Sequence, residues 1–301
     1  MKKIPRAFSF VDRQNQSLVG VEWQGKPYNF TLAWELFKQI TMDNEGPSFQ
    51  FLQLVIEMDL FYAETFDELF ETLQKYRPID DLLLDKDARI RAPIERPQKI
   101  IGVGRNYREH AKELQNPIPE EPVLFAKVPS TIAASGDLIR LPEGVGRVDY
   151  EGELAVVISR EASGITANEA LEYVAGYTLI NDVTARDLQK SNKAKGLPWF
   201  LAKNFDTFLP MGPYLIPANA IDDPQDLELQ ARVNGEIRQK GNTSEMIFSI
   251  ADLISHISKS ITLTAGDVIA TGTPSGVGAL QKRDTVEVEI EGFGVLSNNV
   301  L

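Results

Sequence analysis

The sequence predicts an α+β fold, in which a β-rich main domain with long loops follows a smaller N-terminal domain that contains helices. Short apolar runs bounded by Gly, Pro and Asp dominate the second part of the chain, as expected of many short strands. Asn234 and Gly235 lie between two such runs and are a strong signal for a two-residue β-hairpin. Residues 285–290 alternate between polar and apolar side chains, which is typical of a half-exposed strand. The strand–helix alternation of a Rossmann domain is missing.

The N-terminal domain is predicted to combine a few strands with three helices. Residues 7–30 alternate in short apolar and polar groups, which predicts strands. From Thr31 onward the apolar side chains share one helix face. The other two helices are expected at 51–56 and 66–76. A polar stretch ends at Pro97 and marks the predicted boundary between the N-terminal domain, residues 1–97, and the main domain, residues 98–301.

The main domain is predicted to open with a buried strand that runs into a glycine turn at Gly104. Its other expected elements are a short helix at 107–114, strands at 123–127, 153–159 and 178–181, and a helix at 249–258.

Composition excludes several classes of function. The chain has 301 residues, of which 31 are basic and 43 acidic, for a net charge of -12. Such acidity disfavours nucleic acid as a partner, because phosphates require clustered Lys and Arg. There are no cysteines, which rules out disulfides, thiolate metal sites and a Cys nucleophile. Neither a signal-peptide core nor a membrane-length apolar run is visible, so we expect a cytoplasmic protein without membrane contact.

Three carboxylates lie at the ends of predicted strands. Glu151 and Glu153 are two residues apart, so a strand would place both on one face, where a cation relieves their repulsion. Asp182 follows another apolar run and can supply a third oxygen. Oxygen ligands without His or Cys suit Mg²⁺ or Mn²⁺. The residues alone leave two alternatives open: a solvated edge strand, like that of Glu287 and Glu289, and an Asp182 that caps a turn.

Three further features can carry chemistry, each with an ordinary structural alternative. His110 and Glu113 are neighbours on a helix face and can activate water, although an exposed surface pair has the same spacing. Lys203 lies among apolar and aromatic residues, where it can neutralise an enolate or simply reach solvent. Residues 266–278 form a strand and a glycine-rich loop without a P-loop lysine. The backbone amides of this loop and the Thr273 hydroxyl can hold a carboxylate. The ordinary alternative is a tight turn.

Seven segments between residues 99 and 278 together carry a resemblance that no single one of them establishes. They are IIGVGRNYREHAKEL, LFAKVPSTI, VDYEGELAVVI, GYTLINDVTARDLQ, AKNFDTFLPMGP, VNGEIRQKGNTSEMIFSI and LTAGDVIATGTPSGVG. In this order they closely resemble the fumarylacetoacetate hydrolase family, and the segment before residue 98 is similar to the small N-terminal domain that many members carry.

The resemblance implies a mixed β-roll core, usually in a homodimer, and a Mg²⁺ or Mn²⁺ ion held by three carboxylates. The metal ligands correspond to Glu151, Glu153 and Asp182. The catalytic residues implied are Lys203 and the lid pair His110 and Glu113, which is found in the acylpyruvase-like branch. The substrate-binding residues implied are Arg105, Tyr107, Arg186, Gln189 and Thr273.

The activity implied is cleavage or isomerisation of small 2-oxo or β-diketo acids through a metal-bound enolate. Acylpyruvate hydrolysis and oxaloacetate decarboxylation are the first expectations. The alternatives are a 2-hydroxyhepta-2,4-diene-1,7-dioate isomerase or decarboxylase, a sugar-acid dehydratase, and a protein that binds 2-oxo acids without catalysis.

Overall fold

The computed structural model describes residues 4–42, 46–113 and 117–301. The N-terminal part contains a four-stranded antiparallel sheet, in the order β3-β2-β1-β4, and three helices. Its strands are β1 (Arg6–Val11), β2 (Ser17–Trp23), β3 (Lys26–Asn29) and β4 (Arg89–Arg91), and its helices are α1 (Phe30–Thr41), α2 (Leu52–Glu57) and α3 (Ala63–Tyr76).

The main part is dominated by short strands. The strands described are β5 (Ile100–Gly104), β6 (Val123–Lys127), β7 (Ile132–Ala133), β8 (Leu138–Ile139), β9 (Val148–Tyr150), β10 (Gly152–Ile158), β11 (Val174–Asn181), β12 (Thr184–Ala185), β13 (Leu209–Pro210), β14 (Ile216–Pro217), β15 (Glu228–Val233), β16 (Glu236–Asn242), β17 (Val268–Ala270), β18 (Gly278–Ala279), β19 (Thr285–Ile290) and β20 (Gly294–Val300). The helices are α4 (Arg108–Glu113), α5 (Arg186–Ala194), α6 (Phe200–Lys203) and α7 (Ile250–Ser258).

A six-stranded sheet in the order β14-β11-β10-β17-β5-β6 forms the centre of the main part. The neighbours β17 and β5 are parallel, whereas the other pairs are antiparallel. A five-stranded sheet, β16-β15-β19-β20-β8, and a three-stranded sheet, β12-β9-β18, complete the main architecture. This mixture of helices with parallel and antiparallel strands confirms the predicted α+β fold class.

Apolar layers cover both faces of the central sheet. Because successive side chains of a strand point to opposite faces, β10 contributes Ala155 and Val157 to one layer and Leu154 and Val156 to the other. The first layer is continuous with the aromatic core of the N-terminal part, and the second includes α7. All seven residues of β10 are therefore buried. A polar side chain at the end of this strand lies close to an interior from which water is largely excluded.

Most predicted elements are present with small shifts at their ends. The hairpin turn has positive φ at Asn234 (53°) and Gly235 (80°), as a two-residue turn of this kind requires. Helix α7 begins with a capping box in which the side chains of Ser249 and Asp252 each accept a hydrogen bond from the other's backbone. The polar stretch before Pro97 contains β4, a strand missed by the prediction because it is short and charged. The predicted end of helix 107–114 at Leu114 lies outside the described residues.

No helix among the described residues has the length and apolar character needed to cross a membrane.

Candidate active site

Three buried carboxylates converge at the ends of β10 and β11. Glu153 lies on β10, Asp182 directly follows β11, and Glu151 occupies the single position between β9 and β10 rather than a regular strand. The antiparallel register pairs Gly152 with Asn181, so the two strand ends meet, and the Asp182 amide donates to the Glu151 carbonyl at 2.8 Å. One ligand oxygen from each of the three carboxylates lies within 4.8 Å of the others. The three predicted metal ligands therefore form one cluster.

Two buried lysines neutralise part of this cluster. The Lys203 ammonium, at the end of α6, donates to Glu151 Oε2 at 2.7 Å and also to Asp182. The Lys127 ammonium, at the end of β6, donates to Asp182 Oδ1 at 2.7 Å. It also donates to the carbonyl oxygens of Lys203 at 2.6 Å and Phe208 at 2.9 Å. Lys127 thus fixes both the carboxylate and the short helix that carries Lys203.

Arg186 orients Glu151 from the opposite side. Its Nε donates to Asp149 Oδ2 at 2.8 Å, its Nη2 donates to Glu151, and its Nη1 donates to Gln189 Oε1 at 2.7 Å. The guanidinium is thus occupied by protein groups although it lines the cavity. Because the Gln189 carbonyl accepts from Arg186, the Gln189 amide nitrogen is the group that it can offer to a ligand.

The carboxylates differ in their pKa because they differ in their partners. Burial raises the pKa of Glu153 well above its usual range, and the charges of Asp182 and Glu151 raise it further. Burial acts in the same direction on Glu151, but Lys203 and then Arg186 outweigh it and hold the pKa of Glu151 below its usual range. Glu153 is therefore the member of the cluster that lacks a cation of its own.

The charge balance of this region suits an added divalent cation. The buried carboxylates are Glu151, Glu153, Asp182 and Asp149, and the buried cations are Lys127, Lys203 and Arg186. With all of them ionised, one negative charge is in excess, which a divalent cation would convert to one positive charge. The oxygen-only donor set is the one that Mg²⁺ and Mn²⁺ prefer. In the described part of the chain, this is the one group of three acidic, His or Cys side chains close enough to hold a metal ion.

The predicted pair of His110 and Glu113 lies on α4 at the edge of the same cavity. His110 Nδ1 is 3.3 Å from Glu113 Oε2, and the Gly276 amide donates to both Glu113 oxygens, at 3.1 and 3.2 Å. Burial alone would raise the pKa of Glu113, but the hydrogen bonds from His110 and Gly276 outweigh burial and lower it. An ionised Glu113 can accept a hydrogen bond from Nδ1–H of a neutral His110 ring. In that tautomer, Nε2 carries no proton and has a free lone pair. His110 itself is buried and lines the cavity.

The glycine-rich loop after β17 is tied to the carboxylate strand. The Thr273 hydroxyl donates to the Gly152 carbonyl at 2.8 Å and accepts from Gln239 Nε2 at 2.8 Å. The Gly272 amide donates to Glu153 Oε2 at 2.8 Å. Thr273 lines the cavity, but its hydroxyl proton is already used within the protein.

The cavity has a volume of about 130 Å³, well below the roughly 300–1,000 Å³ of sites for drug-sized ligands. It therefore suits a small metabolite. The predicted residues that line it are Arg105, His110, Glu151, Glu153, Asp182, Arg186, Gln189, Lys203 and Thr273.

Tyr107, expected to bind substrate, is buried behind the cavity and is not one of its lining residues. Its hydroxyl finds no hydrogen-bond partner among the described residues. Glu113 is also not one of the lining residues, but it is exposed, and it reaches the cavity only through its contact with His110.

Sequence reasoning missed several residues that hold the site together. Lys127 and Asp149 lie inside the quoted segments LFAKVPSTI and VDYEGELAVVI, but the prediction assigned no role to either residue. Gln239 also went unnoticed, although its side chain bonds to the Gly152 amide, Thr273 and Pro274. A charged residue directly beside a buried apolar run is the signal that could have identified Lys127.

Comparison with known proteins identifies the family of the main part of this chain. The family model described as fumarylacetoacetate (FAA) hydrolase C-terminal matches residues 99–301. The chain belongs to this family, and it is an enzyme, as the sequence predicted.

Individual relatives extend the comparison. Oxaloacetate tautomerase YisK of Bacillus subtilis is 46% identical over 225 residues, which cover 71% of this chain and 73% of that protein. The structure of a fumarylacetoacetate hydrolase from psychrophilic Exiguobacterium antarcticum superposes with a TM-score of 0.78 at 35% identity, covering 98% of this chain and 99% of the other. Fumarylpyruvate hydrolase from Pseudomonas aeruginosa, solved with Mn²⁺ and pyruvate, has a TM-score of 0.65 at 34% identity, covering 68% of this chain and 90% of the other.

Proposed function

We propose that this chain is a divalent-metal-dependent enzyme that interconverts the enol and keto forms of a short 2-oxo acid of the oxaloacetate type. The observation that carries the proposal is the cluster of three buried carboxylates with Lys203 and His110 around one small cavity. The similarity to an oxaloacetate tautomerase at 46% identity supports the choice of reaction.

Glu151, Glu153 and Asp182 would hold the cation, Mg²⁺ or Mn²⁺. The bound cation would supply Lewis-acid polarisation of the 2-oxo group and a charge opposite the substrate carboxylate. The Mn²⁺ and pyruvate in the fumarylpyruvate hydrolase structure support this pairing of a metal with a 2-oxo acid.

Lys203 places a positive charge where the enol oxygen loses its proton. Its ammonium is held between Glu151 and Asp182 by two hydrogen bonds, so it needs no rearrangement as charge develops. Arg186 and Gln189 support this arrangement from the side of Glu151.

His110 is positioned to move the proton at C3 of the substrate. In the enol-to-keto direction, the enol hydroxyl releases its proton to water, and C3 gains a proton from Nε2 of the protonated His110 ring. The ring then takes a proton back from water at Nε2. In the reverse direction, the free lone pair of Nε2 in the neutral ring removes the proton from C3. Glu113 holds the ring through Nδ1, and the Gly276 amide holds Glu113.

The test follows the enol absorbance of oxaloacetate with Mg²⁺, with Mn²⁺ and with EDTA, against metal-only blanks. We expect the protein to accelerate the interconversion only when metal is present. Lys203→Met should lower this rate by about a hundredfold or more. Lys195→Met, an exposed lysine outside the cavity lining, is the matched control and should retain full activity. Acceleration that persists in EDTA, or its absence with metal, would contradict the proposal.

A second candidate is hydrolysis of the C3–C4 bond of an acylpyruvate. The pairing of His110 Nδ1 with Glu113 favours it, because a neutral imidazole so oriented can also deprotonate water for attack on a C4 carbonyl. Acetylpyruvate with Mg²⁺ distinguishes the two candidates, since hydrolysis yields pyruvate and acetate whereas tautomerisation yields no new products. His110→Ala should abolish hydrolysis and leave metal binding intact; unchanged turnover would exclude this role.

A further inference from the structure

A second cavity lies at the junction between the N-terminal part and the main part. Its volume is about 320 Å³, at the lower end of the roughly 300–1,000 Å³ of sites for drug-sized ligands. The N-terminal part contributes the end of α2 and the linker to α3, and the main part contributes the beginning of β11 and the loops beside it. The junction cavity and the cavity of the carboxylate cluster share no lining residue.

Contacts between the two parts hold the walls of the junction cavity in place. The Asn219 side chain accepts a hydrogen bond from the Ala63 amide at 3.2 Å and donates one to Glu64 in the first turn of α3. The Phe61 ring packs against β11 at Gly176, where a Cβ would lie 3.2 Å from the ring. Phe61 and Asn219 both line the cavity, so two of its walls are fixed before any ligand arrives.

Two hydroxyl groups of the junction cavity have no hydrogen-bond partner in the described part of the chain. Tyr177 is 2% exposed, and its hydroxyl forms no hydrogen bond with the described residues. Burial raises the pKa of Tyr177 and the charge of Asp223 raises it further, so the phenol keeps its proton. Ser159 Oγ is also buried and unpaired. Because buried hydroxyls ordinarily have partners, two unpaired ones on one cavity indicate a place for a polar group of a ligand.

The charge along the junction cavity is negative. Asp59, Glu172 and Asp222 line it and are exposed, and none of the described lining residues is basic. Glu172 lies 3.8 Å from the Arg160 guanidinium, and Asp59 accepts a hydrogen bond from the Tyr62 hydroxyl. Within the described residues, neither Asp59 nor Asp222 forms an ion pair. Two carboxylates at this cavity therefore keep a charge that no protein cation balances.

We propose that the junction cavity binds a small organic cation, in which an ammonium group is carried on an apolar body. Three aromatic rings line the cavity, those of Phe61, Tyr62 and Tyr177, and the face of such a ring attracts a cation. Asp59 and Asp222 balance the charge of the ammonium group. The inference does not depend on the proposed function, because it concerns a different cavity.

The test measures binding of three probes of similar size to the full chain by calorimetry with saturating Mg²⁺. The probes are phenethylammonium, the neutral 2-phenylethanol and the anionic phenylacetate. Phenethylammonium should bind at least about tenfold more tightly than 2-phenylethanol, and phenylacetate more weakly than either. The ratio between the first two should shrink as NaCl is added, because the carboxylates are exposed.

Four variants locate the binding site. Ala218→Phe places a ring inside the cavity that Ala218 lines and should abolish binding of phenethylammonium and 2-phenylethanol alike. Tyr177→Phe removes only an unpaired hydroxyl and should weaken phenethylammonium about threefold. Asp222→Asn should weaken phenethylammonium about threefold and leave 2-phenylethanol unchanged. Glu161→Gln removes an exposed charge that does not line the cavity and should change neither, with the melting temperature of each variant checking the fold.

The outcomes separate this site from the carboxylate cluster and from general surface charge. Equal affinity for phenethylammonium and 2-phenylethanol, or no binding of phenethylammonium, would overturn the inference. Unchanged binding in folded Tyr177→Phe and Asp222→Asn, or an equal loss in Glu161→Gln, would also overturn it, because the cation would then lie elsewhere. Glu153→Gln should retain phenethylammonium binding, and its loss there would assign the cation to the carboxylate cluster instead.

Discussion

Two pairs of glutamates in this chain have the same spacing and entirely different environments. Glu151 and Glu153 are buried at the floor of the cavity, whereas Glu287 and Glu289 are half-exposed on β19. Glu289 pairs with Arg232 on the neighbouring strand at the surface. A two-residue spacing aligns Glu287 and Glu289 on one face of β19, and Glu151 lies close to Glu153 although it stands between two strands. In neither case does the spacing determine what covers the two side chains.

The residues around each pair explain the difference. Strand β10 is apolar on both faces because the N-terminal part and α7 cover the central sheet. Strand β19 alternates buried and half-exposed positions, since only one of its faces is covered. Carboxylates at the end of a doubly covered strand need cations within the protein, and those at the surface can rely on water.

The largest expected difference between the pairs is in catalysis. Glu153→Gln removes one of the three proposed ligands and should lower kcat/KM for oxaloacetate enol by about a thousandfold, with loss of metal binding. Glu289→Gln, the matched substitution at the surface, should leave both unchanged. Steady-state kinetics at saturating Mg²⁺ measure this, and comparable losses in the two variants would contradict the comparison.

The next largest effect is on stability. Lys127→Met removes the buried donor of Asp182 Oδ1 and of two backbone carbonyls and should lower the free energy of unfolding by about 3–5 kcal/mol. Lys240→Met breaks the exposed pair with Glu228 and should cost less than about 1 kcal/mol. Urea denaturation in EDTA compares the two, and a loss for Lys127→Met as small as that for Lys240→Met would show that the buried network contributes little.

A smaller effect is the pH dependence of the metal-free protein. Because the pKa of Glu153 is raised on folding, its contribution to stability is fully present at low pH and is lost as the pH rises through the raised value. Glu153→Gln lacks this titration. The variant should therefore gain stability relative to the unmodified chain as the pH rises above about 4.5, by at most about 1.4 kcal/mol per pH unit. A stability difference independent of pH would argue against the raised pKa.

The smallest effect concerns the surface pair itself. Glu289→Gln removes the ion pair with Arg232 and should change the free energy of unfolding by less than about 1 kcal/mol. The change should decrease further in 1 M NaCl, because salt screens exposed charges. Denaturation at low and high salt measures this change. A larger loss of stability that does not depend on salt would show that the Glu289–Arg232 ion pair behaves like the buried ion pairs of the cavity.

The sequence predicted the local features of this site better than its long-range contacts. The places of Glu153 and Asp182 followed from apolar runs, one that begins directly after Glu153 and one that ends just before Asp182. The hairpin at Asn234 followed from its turn residues. The contact of Lys127 with Asp182 joins positions 55 residues apart and depends on how β6 and α6 approach, which no local pattern encodes.

Tyr107 illustrates the other limit of sequence reasoning. It lies in the same segment as Arg105 and was expected to contact substrate, but its side chain turns to the interior and that of Arg105 lines the cavity. Which of two neighbouring side chains faces a cavity depends on the backbone conformation, here the positive φ at Arg105.

The central claim is that the buried carboxylates bind one catalytic divalent cation, and a Mn²⁺ titration followed by electron paramagnetic resonance tests it most directly. The account predicts one Mn²⁺ per chain, absent in Glu153→Gln and retained in Glu289→Gln, with turnover of oxaloacetate enol rising in proportion to bound metal. Full turnover by protein that holds no Mn²⁺ or Mg²⁺, or equal Mn²⁺ binding by both variants, would contradict it.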